Sequence, residues 1–457
     1  IGKSTNTATV QFLDDWSVGG DLTVHGPAEV ANSITTDGSQ TWHGDVNVVG
    51  SAENVAFTSN SGDVVFGGDL LAGAREEDRA DFLSFDSGSE GSWRVPLGAN
   101  ELKIWAIGAG GGGAGGGKLW NPNKSRNEGY GGGGGGAGAI TYVELDANTL
   151  AELSALSYVI GEGGVGSSGY NSDGNAGGDT KVVLGIDGDM DPLVAGGGGA
   201  GLSFYRFSNN LGDSDASIDA GGRGSGGSER ISGGSGGVAT RLSNTSAGGG
   251  GGAIGNRSGE SASGYAGGEG RLGNNFQGLE SAIKRYNELS DNDLPLIREG
   301  QDRAQDKAAQ AESATAFGGA GAGGYYNNAH GGDGLYGGGG GGAGVYSAVR
   351  DGGDGGDGAI MLRYTLAPRA VTINAGDDVR VGGKLTGKSV TINTGDTPAG
   401  GTDNADGSYI AGAVDVGDDA ADAFTKQGSG TLELRSDNDF DATTRVEAGT
   451  LQLGNGG

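Results

Sequence analysis

The chain has 457 residues, 105 of them glycine, with no cysteine and a formal charge of −29 at pH 7. The lack of cysteine excludes disulfides and thiolate chemistry, and the negative charge argues against nucleic acid or an anionic membrane as a partner. No segment approaches the roughly 18 consecutive apolar residues of a membrane span, so we expect membrane attachment only through an anchor outside this chain.

Residues 1–79 are predicted to form short strands at a regular spacing. Gly-Asp turn signals precede alternating β-branched runs, as in Gly44-Asp45-Val46-Asn47-Val48. Asp21, Asp45 and Asp63 follow one another at intervals of 24 and 18 residues. Repetition at this period is typical of a solenoid, because a single turn of chain cannot bury its own apolar face.

Residues 80–366 are predicted to form an inserted glycine-rich β domain. Strand-like segments such as 102–107 and 140–143 alternate with glycine runs at 110–113, 131–136, 196–199, 248–252 and 337–342. Because glycine has no side chain with which to build a core, ordered runs are expected to be polyglycine II helices that bond through their backbones. Disordered glycine segments are the alternative, and the apolar and aromatic residues between the runs argue against it.

The segment at about 272–316 differs in kind from the rest of this domain. Its apolar residues recur at helical spacings of 4, 3 and 3, at Leu279, Ile283, Tyr286 and Leu289. Pro295 is expected to divide the segment into two helices. We therefore predict a small helical excursion from the β domain.

Residues 367–457 return to the strand pattern of the first segment. Val371-Thr372-Ile373-Asn374 recurs as Val390-Thr391-Ile392-Asn393, 19 residues later. The predicted fold class is all-β, with parallel β-helix (solenoid) flanks and an inserted glycine-rich β-sandwich/polyglycine II domain. Since the chain opens and ends in repeat sequence, we interpret it as a processed or excised piece of a longer protein.

The order of motifs across 82–365 resembles the glycine-rich domains of phage tail-fibre tips. The resemblance is carried by Trp93-Arg94-Val95-Pro96, by 102–113, by 135–138 and by 352–360. It implies a jelly-roll-like β sandwich joined to a bundle of polyglycine II helices, whose exposed loops bind receptors. A phage tail-fibre-like receptor-binding protein is therefore an alternative function.

Residues 424–454 resemble the passenger-associated transport repeat of autotransporters. The match is carried by Lys426-Gln427-Gly428-Ser429-Gly430-Thr431-Leu432 and, after a loop, by Gly449-Thr450-Leu451. It implies a parallel β-helix exported through the outer membrane, and hence an extracellular location or one on the bacterial cell surface.

No constellation of catalytic residues stands out, and we predict that the chain is not an enzyme. Residues 382–389 fit the P-loop pattern, but a strand is expected after them where the chemistry needs a helix. Residues 233–237 fit G-x-S-x-G, with only His25, His43 and His330 available as a base. A β-helix glycan-cleaving enzyme is a further alternative, because paired carboxylates could carry that chemistry. With 58 acidic residues, however, the sequence singles out no such pair.

Calcium is the one cofactor that the sequence suggests, because two segments alternate carboxylates as calcium loops do. They contain Asp187, Asp189 and Asp191, and Asp437, Asp439 and Asp441. Residues 352–360 also fit a single calcium-binding nonapeptide. Solvated turns are the competing interpretation, since Pro192 and Ala442 stand where an EF-hand loop has glycine.

Aromatic residues between the glycine runs are the candidates for partner contact, because rings offer a large apolar area at a low entropic cost. They are Trp120, Tyr130, Tyr170, Tyr205, Tyr325, Tyr326 and Tyr336. Covering the glycine segments is the competing role for each ring. The expected partner is a cell-surface glycan or protein, or another copy of the chain. The predicted function is a secreted or surface-displayed bacterial adhesin or fibre-forming structural protein.

Overall fold

The computed structural model describes residues 1–3, 5, 7–49, 53–73, 77–84, 89–96, 98–121, 125–153, 155–168, 172–185, 192–203, 224–225, 229–231, 236, 241–242, 278–290, 294, 330–344, 350–395, 407–417, 421–436, 438 and 442–454. The chain divides into two compact units. The three-sheet unit comprises Ile1–Asp78, Pro96–Asn100 and Thr365–Gly457, and the glycine-rich unit comprises Arg79–Val95 and Glu101–Tyr364.

Most regular structure is β-strand, as the sequence predicts. The first strands are β1 (Val10–Phe12), β2 (Trp16–Val18), β3 (Leu22–Val24), β4 (Ala28–Val30), β5 (Ile34–Thr36), β6 (Gln40–Trp42), β7 (Val46–Val48), β8 (Asn54–Ser59), β9 (Val64–Phe66) and β10 (Leu70–Leu71). There follow β11 (Glu77–Ser84), β12 (Glu90–Arg94), β13 (Ala99–Ile107), β14 (Gly117–Asn121), β15 (Arg126–Tyr130), β16 (Ile140–Asp146), α1 (Ala147–Ala151), β17 (Ala155–Val159), β18 (Thr180–Leu184), β19 (Leu193–Ala195), β20 (Gly224–Ser225), β21 (Glu229–Ile231), β22 (Arg241–Leu242), α2 (Leu279–Leu289) and β23 (Ala359–Leu366). The last strands are β24 (Ala370–Ala375), β25 (Val379–Val381), β26 (Leu385–Gly387), β27 (Val390–Thr394), β28 (Ser408–Ile410), β29 (Val414–Val416), β30 (Ala423–Gln427), β31 (Thr431–Leu434), β32 (Thr443–Val446) and β33 (Thr450–Leu453).

The three-sheet unit stacks parallel strands from both flanks of the chain in common sheets. Sheet 1 has the order β1-β4-β7-β10-β26-β29, sheet 2 the order β2-β5-β8-β24-β27-β30-β32, and sheet 3 the order β3-β6-β9-β25-β28-β31-β33. The repeated Val-Thr-Ile-Asn segments pair residue for residue, Val371 opposite Val390. Val371 also lies opposite Val55 of the first flank. The chain therefore visits the three sheets in turn before and after the glycine-rich segment.

The interior of this unit is built from alternating side chains. Short strands such as β3 bury their first and last residues and expose the middle one. Trp42 lies at the centre of an aromatic cluster, with ring centroids 5.3 Å from Phe12, 5.6 Å from Phe57 and 6.2 Å from Phe66. Rings in these edge-to-face and stacked arrangements add to the apolar burial that holds successive strands together.

We call one passage of the chain through sheets 1, 2 and 3 a circuit. The Gly-Asp turns of successive circuits are joined by a ladder of hydrogen bonds. The Asp45 carboxylate accepts the N–H of Asp69 at 3.0 Å, and Asp69 in turn accepts the N–H of Lys384 at 2.7 Å. A Cβ at Gly383 would lie 2.1 Å from the Asp69 carboxylate oxygen. Glycine is thus required because it leaves room for the preceding aspartate, and the aspartate supplies an acceptor to the next circuit.

The glycine-rich unit contains three smaller sheets. Sheet 4 has the order β11-β23-β13-β16-β21, sheet 5 the order β12-β17-β18-β19-β20, and sheet 6 the order β14-β15-β22. Every described register within them is antiparallel. Helix α2 buries Leu279, Ala282 and Ile283 against Trp105 and Met361. This helix agrees with the predicted excursion, and the segment after Pro295 lies outside the described residues.

Candidate functional site

The glycine runs among the described residues bond to one another instead of pairing as strands; the run at 248–252 lies outside those residues. In residues 108–116, the central segment, all nine N–H groups donate to carbonyls of other segments at 2.8–3.2 Å. Successive donors reach three different neighbours in turn, and each neighbour is reached again from every third residue. The central segment therefore makes one turn in three residues. The acceptors fall in three series: Ala139, Gly136 and Gly133; Gly178, Asn175 and Ser172; and Gly356, Gly353 and Arg350.

The carbonyls of the central segment accept from three further segments. Gly198 and Gly201 donate to Ala109 and Gly112, and two equivalent pairs of bonds come from 164–167 and 340–343. The six surrounding segments also bond to one another in a closed ring, for example Gly135 to Gly340 and Gly355 to Gly164. We call this arrangement the glycine bundle; its segments are 108–116, 132–139, 161–167, 172–178, 196–202, 337–343 and 350–358.

The glycine bundle leaves no space for a side chain at most of its glycines, although it buries the methyl groups of Ala109 and Ala114 in the central segment. A Cβ at Gly111 would lie 2.0 Å from the Gly199 carbonyl oxygen, and one at Gly113 would lie 2.0 Å from the Gly341 oxygen. By contrast, a Cβ at Gly185, beside β18, would find its nearest neighbour at 3.6 Å. The backbones can approach one another this closely only because the residues are glycine.

Aspartates close the edges of the glycine bundle. Asp354 accepts the N–H of Gly166 and Asp357 that of Gly163, both at 2.6 Å. Both residues belong to the predicted calcium nonapeptide at 352–360, and here one oxygen of each carboxylate is engaged by the backbone. The spacing of three between the two aspartates matches the three-residue turn, and this role was missed in the sequence.

The predicted contact residues are distributed unevenly in the structure. Tyr336 packs edge-on against Phe82, with ring centroids 5.2 Å apart, and is only partly exposed. Trp120 and Tyr130 lie on the paired strands β14 and β15, and the structure describes their backbones alone. The remaining candidates lie outside the described residues: Tyr170, Tyr205, Tyr325 and Tyr326.

The predicted calcium ligands also lie outside the described residues: Asp187, Asp189, Asp191, Asp437, Asp439 and Asp441. Within the described part of the chain, Asp63, Asp377 and Asp378 bring carboxylate oxygens within 4.8 Å of one another. The Arg380 guanidinium lies 3.3 Å from Asp63 and 2.8 Å from Asp378. A cationic side chain therefore already pairs with two of the three carboxylates.

The segments that match catalytic motifs have structural roles, as far as the structure describes their residues. Residues 382–389 contain β26 and are followed by the strand β27, as predicted, and the N–H of Lys384 is bound to Asp69. His25 and His43 stack with ring centroids 4.4 Å apart. His330 accepts the N–H of Asp351 at 3.3 Å. Of 233–237, Gly236 is the residue that the structure describes.

Among the described residues of the glycine-rich unit, one titratable group has a strongly raised pKa. Burial, with a smaller contribution from the Asp81 carboxylate, raises the pKa of Tyr364 to about 12. The Tyr364 ring lies 5.6 Å from that of Trp93, whose indole N–H donates to Asp81 at 2.8 Å. These three side chains join β11, β12 and β23, so the perturbation has a structural origin.

Comparison with known protein families identifies two regions. Residues 424–453 match the passenger-associated transport repeat, which indicates a secreted or surface-exposed autotransporter passenger. Among the described residues, no helix is both long and apolar enough to cross a bilayer. No curated protein matches the chain. Residues 85–365, more than half of the chain, match the glycine-rich domain family. The chain belongs to the glycine-rich domain family.

Proposed function

We propose that this chain is a passenger displayed on the bacterial surface, where it acts as an adhesin or fibre-forming protein. In this proposal the three-sheet unit is a parallel β-helix and the glycine bundle is a polyglycine II bundle. The observation that carries the proposal is the central segment 108–116, which is bonded on all sides by six other segments. Such a bundle is a rigid support for the chain segments that leave its ends.

The three-sheet unit supports the proposal because it is built by the stacking of similar circuits. Strands from each circuit add to the same three sheets in parallel, and the buried apolar side chains form one cluster from Phe12 to Ala442. An architecture that grows by stacking circuits suits a stalk or a fibre.

The glycine bundle also holds a candidate contact surface. Strand β14 begins at Gly117, directly after the central segment, and β15 ends at Tyr130, one residue before the segment 132–139. The hairpin that contains Trp120 is therefore anchored at both of its ends by bundle segments. A hairpin held in this way can bind a glycan or protein with little loss of conformational entropy.

Attachment assays with the full chain test the proposal. Beads coated with the purified chain should attach to epithelial cells or to bacteria, or the chain should self-associate in sedimentation. The variant Trp120→Ala/Tyr130→Ala should reduce attachment or association at least tenfold. Ser125→Gly is the matched control in the same hairpin, because Ser125 has a φ of 47° that glycine adopts readily. If the chain neither attaches nor self-associates and releases sugars from surface glycans instead, the proposal is wrong.

A further inference from the structure

Lys426 is the one lysine that the described part of the chain buries completely. Its exposed fraction is 0 %, and it lies in the transport repeat between Ile392 and Val446 of the adjacent circuits. A lysine in this apolar column is unfavourable unless its amine has hydrogen-bond acceptors, because burial removes the ammonium from water.

The acceptors of the Lys426 amine are carbonyls of the turn that follows. The amine donates to the Gln427 oxygen and, at 3.0 Å, to the Gly428 oxygen. Gly428 has a φ of 73°, and a Cβ there would lie 2.1 Å from the Thr394 oxygen. The turn is therefore pressed against the previous circuit in a conformation that favours glycine, and its carbonyls face the interior.

In two earlier circuits, side-chain hydroxyl groups donate hydrogen bonds to the carbonyls of the turn that follows the same sheet. Thr36 donates to the Gly38 oxygen at 2.6 Å, and Ser59 donates to the Gly62 oxygen at 2.8 Å. Thr394, beneath the turn of the transport repeat, has a buried hydroxyl that finds no hydrogen-bond partner among the described residues. The lysine amine thus takes the place that a threonine or serine hydroxyl has elsewhere in this unit.

We propose that Lys426 is the positioning residue of the transport repeat, and that its buried amine holds the turn 427–430 and so sets the register of β31–β33. Burial lowers the pKa of Lys426, and no carboxylate of the described residues forms an ion pair with it. Burial alone accounts for this lowered pKa. The charged side chains on the neighbouring strands and turns are Asp422, Glu433, Arg445, Glu447 and Lys388.

Hydrogen exchange of the full chain tests this role. Lys426→Met should speed exchange across 424–453 at least tenfold, because the two turn carbonyls lose their donor, while strands β3–β6 keep their protection. Lys384→Met is the matched control, since Lys384 is exposed and pairs with Asp415 at 3.2 Å. Equal or slower exchange in Lys426→Met would overturn the proposal.

The pH dependence of hydrogen exchange shows whether the buried amine of Lys426, and not only its apolar side-chain stem, affects the stability of the repeat. Because the folded-state pKa is lowered, the folded repeat binds fewer protons than the unfolded chain, and its stability should rise as the pH approaches 10.5. After correction for intrinsic exchange rates, the protection of 424–453 should therefore rise from pH 8 to pH 10 in the wild type and not in Lys426→Met. The same pH profile in both proteins would contradict burial of the amine.

Discussion

The three-sheet unit and the glycine bundle order extended chain by opposite means. In the three-sheet unit, alternate side chains fill the interior, and the backbone groups pair with the circuits on either side. In the glycine bundle, the backbones themselves fill the interior, and each segment turns every three residues to reach several neighbours. The three-sheet unit therefore depends on the volume of its side chains, whereas the glycine bundle depends on their absence at closely packed positions such as Gly111.

Both units nevertheless use aspartate in the same way. In the three-sheet unit, Asp69 accepts the N–H of Lys384, and in the glycine bundle, Asp354 accepts the N–H of Gly166. In each case the carboxylate reaches an N–H of a neighbouring segment at or next to a glycine. Part of the acidic composition therefore serves to complete backbone hydrogen bonding.

The largest effect is expected from a side chain inside the glycine bundle. Gly111→Ala should destabilise the glycine-rich unit by more than about 4 kcal/mol, because the new Cβ meets the Gly199 oxygen at 2.0 Å. Gly185→Ala is the control, since its Cβ meets nothing closer than 3.6 Å. Chemical denaturation measures both variants. A Gly111→Ala protein as stable as the control would show that the segments are not closely packed.

A core deletion in the three-sheet unit should be nearly as severe. Trp42→Ala removes a side chain that is 1 % exposed and should cost about 3–5 kcal/mol. Thr23→Ala, an outward change on the adjacent strand β3, is the control. Exchange measured by mass spectrometry should show the loss in β3–β9. If outward and inward changes cost the same, side-chain packing does not order this unit.

Removal of a ladder carboxylate should have a moderate effect. Asp69→Ala deletes the acceptor of the Lys384 N–H and should cost about 0.5–1.5 kcal/mol. Asp69→Asn keeps an acceptor oxygen at the same place and should recover most of the stability. Urea midpoints of the two variants measure the difference. Equal losses would mean that charge, and not hydrogen bonding, accounts for the effect.

The most conditional effect concerns Tyr364, because it arises only at high pH. Its pKa of about 12 lies above that of an unfolded tyrosine, so the folded state holds the proton longer. Stability of the glycine-rich unit should therefore fall between about pH 10 and 12, and the fall should be smaller in Tyr364→Phe. Denaturation midpoints against pH measure this difference. Identical pH profiles for the two proteins would contradict burial of the phenol.

The sequence predicted the type of each segment better than it predicted which segments contact one another. The Val-Thr-Ile-Asn repeat predicted which strands are equivalent, because strand register follows from alternation. The glycine runs predicted ordered, backbone-bonded segments, but identical residues cannot specify which segment bonds to which. Tyr336 was offered as a contact residue, and the structure places its ring against Phe82. That contact joins residues far apart in the chain, so no local pattern could reveal it.

Hydrogen exchange at the amides of 108–116 tests the account most directly. All nine N–H groups of this segment donate to other segments, although no strand or helix runs through most of it. All nine amides should be protected in the full chain and should lose protection together in Gly111→Ala. Exchange of these amides at the rates of an unfolded glycine peptide would contradict this expectation.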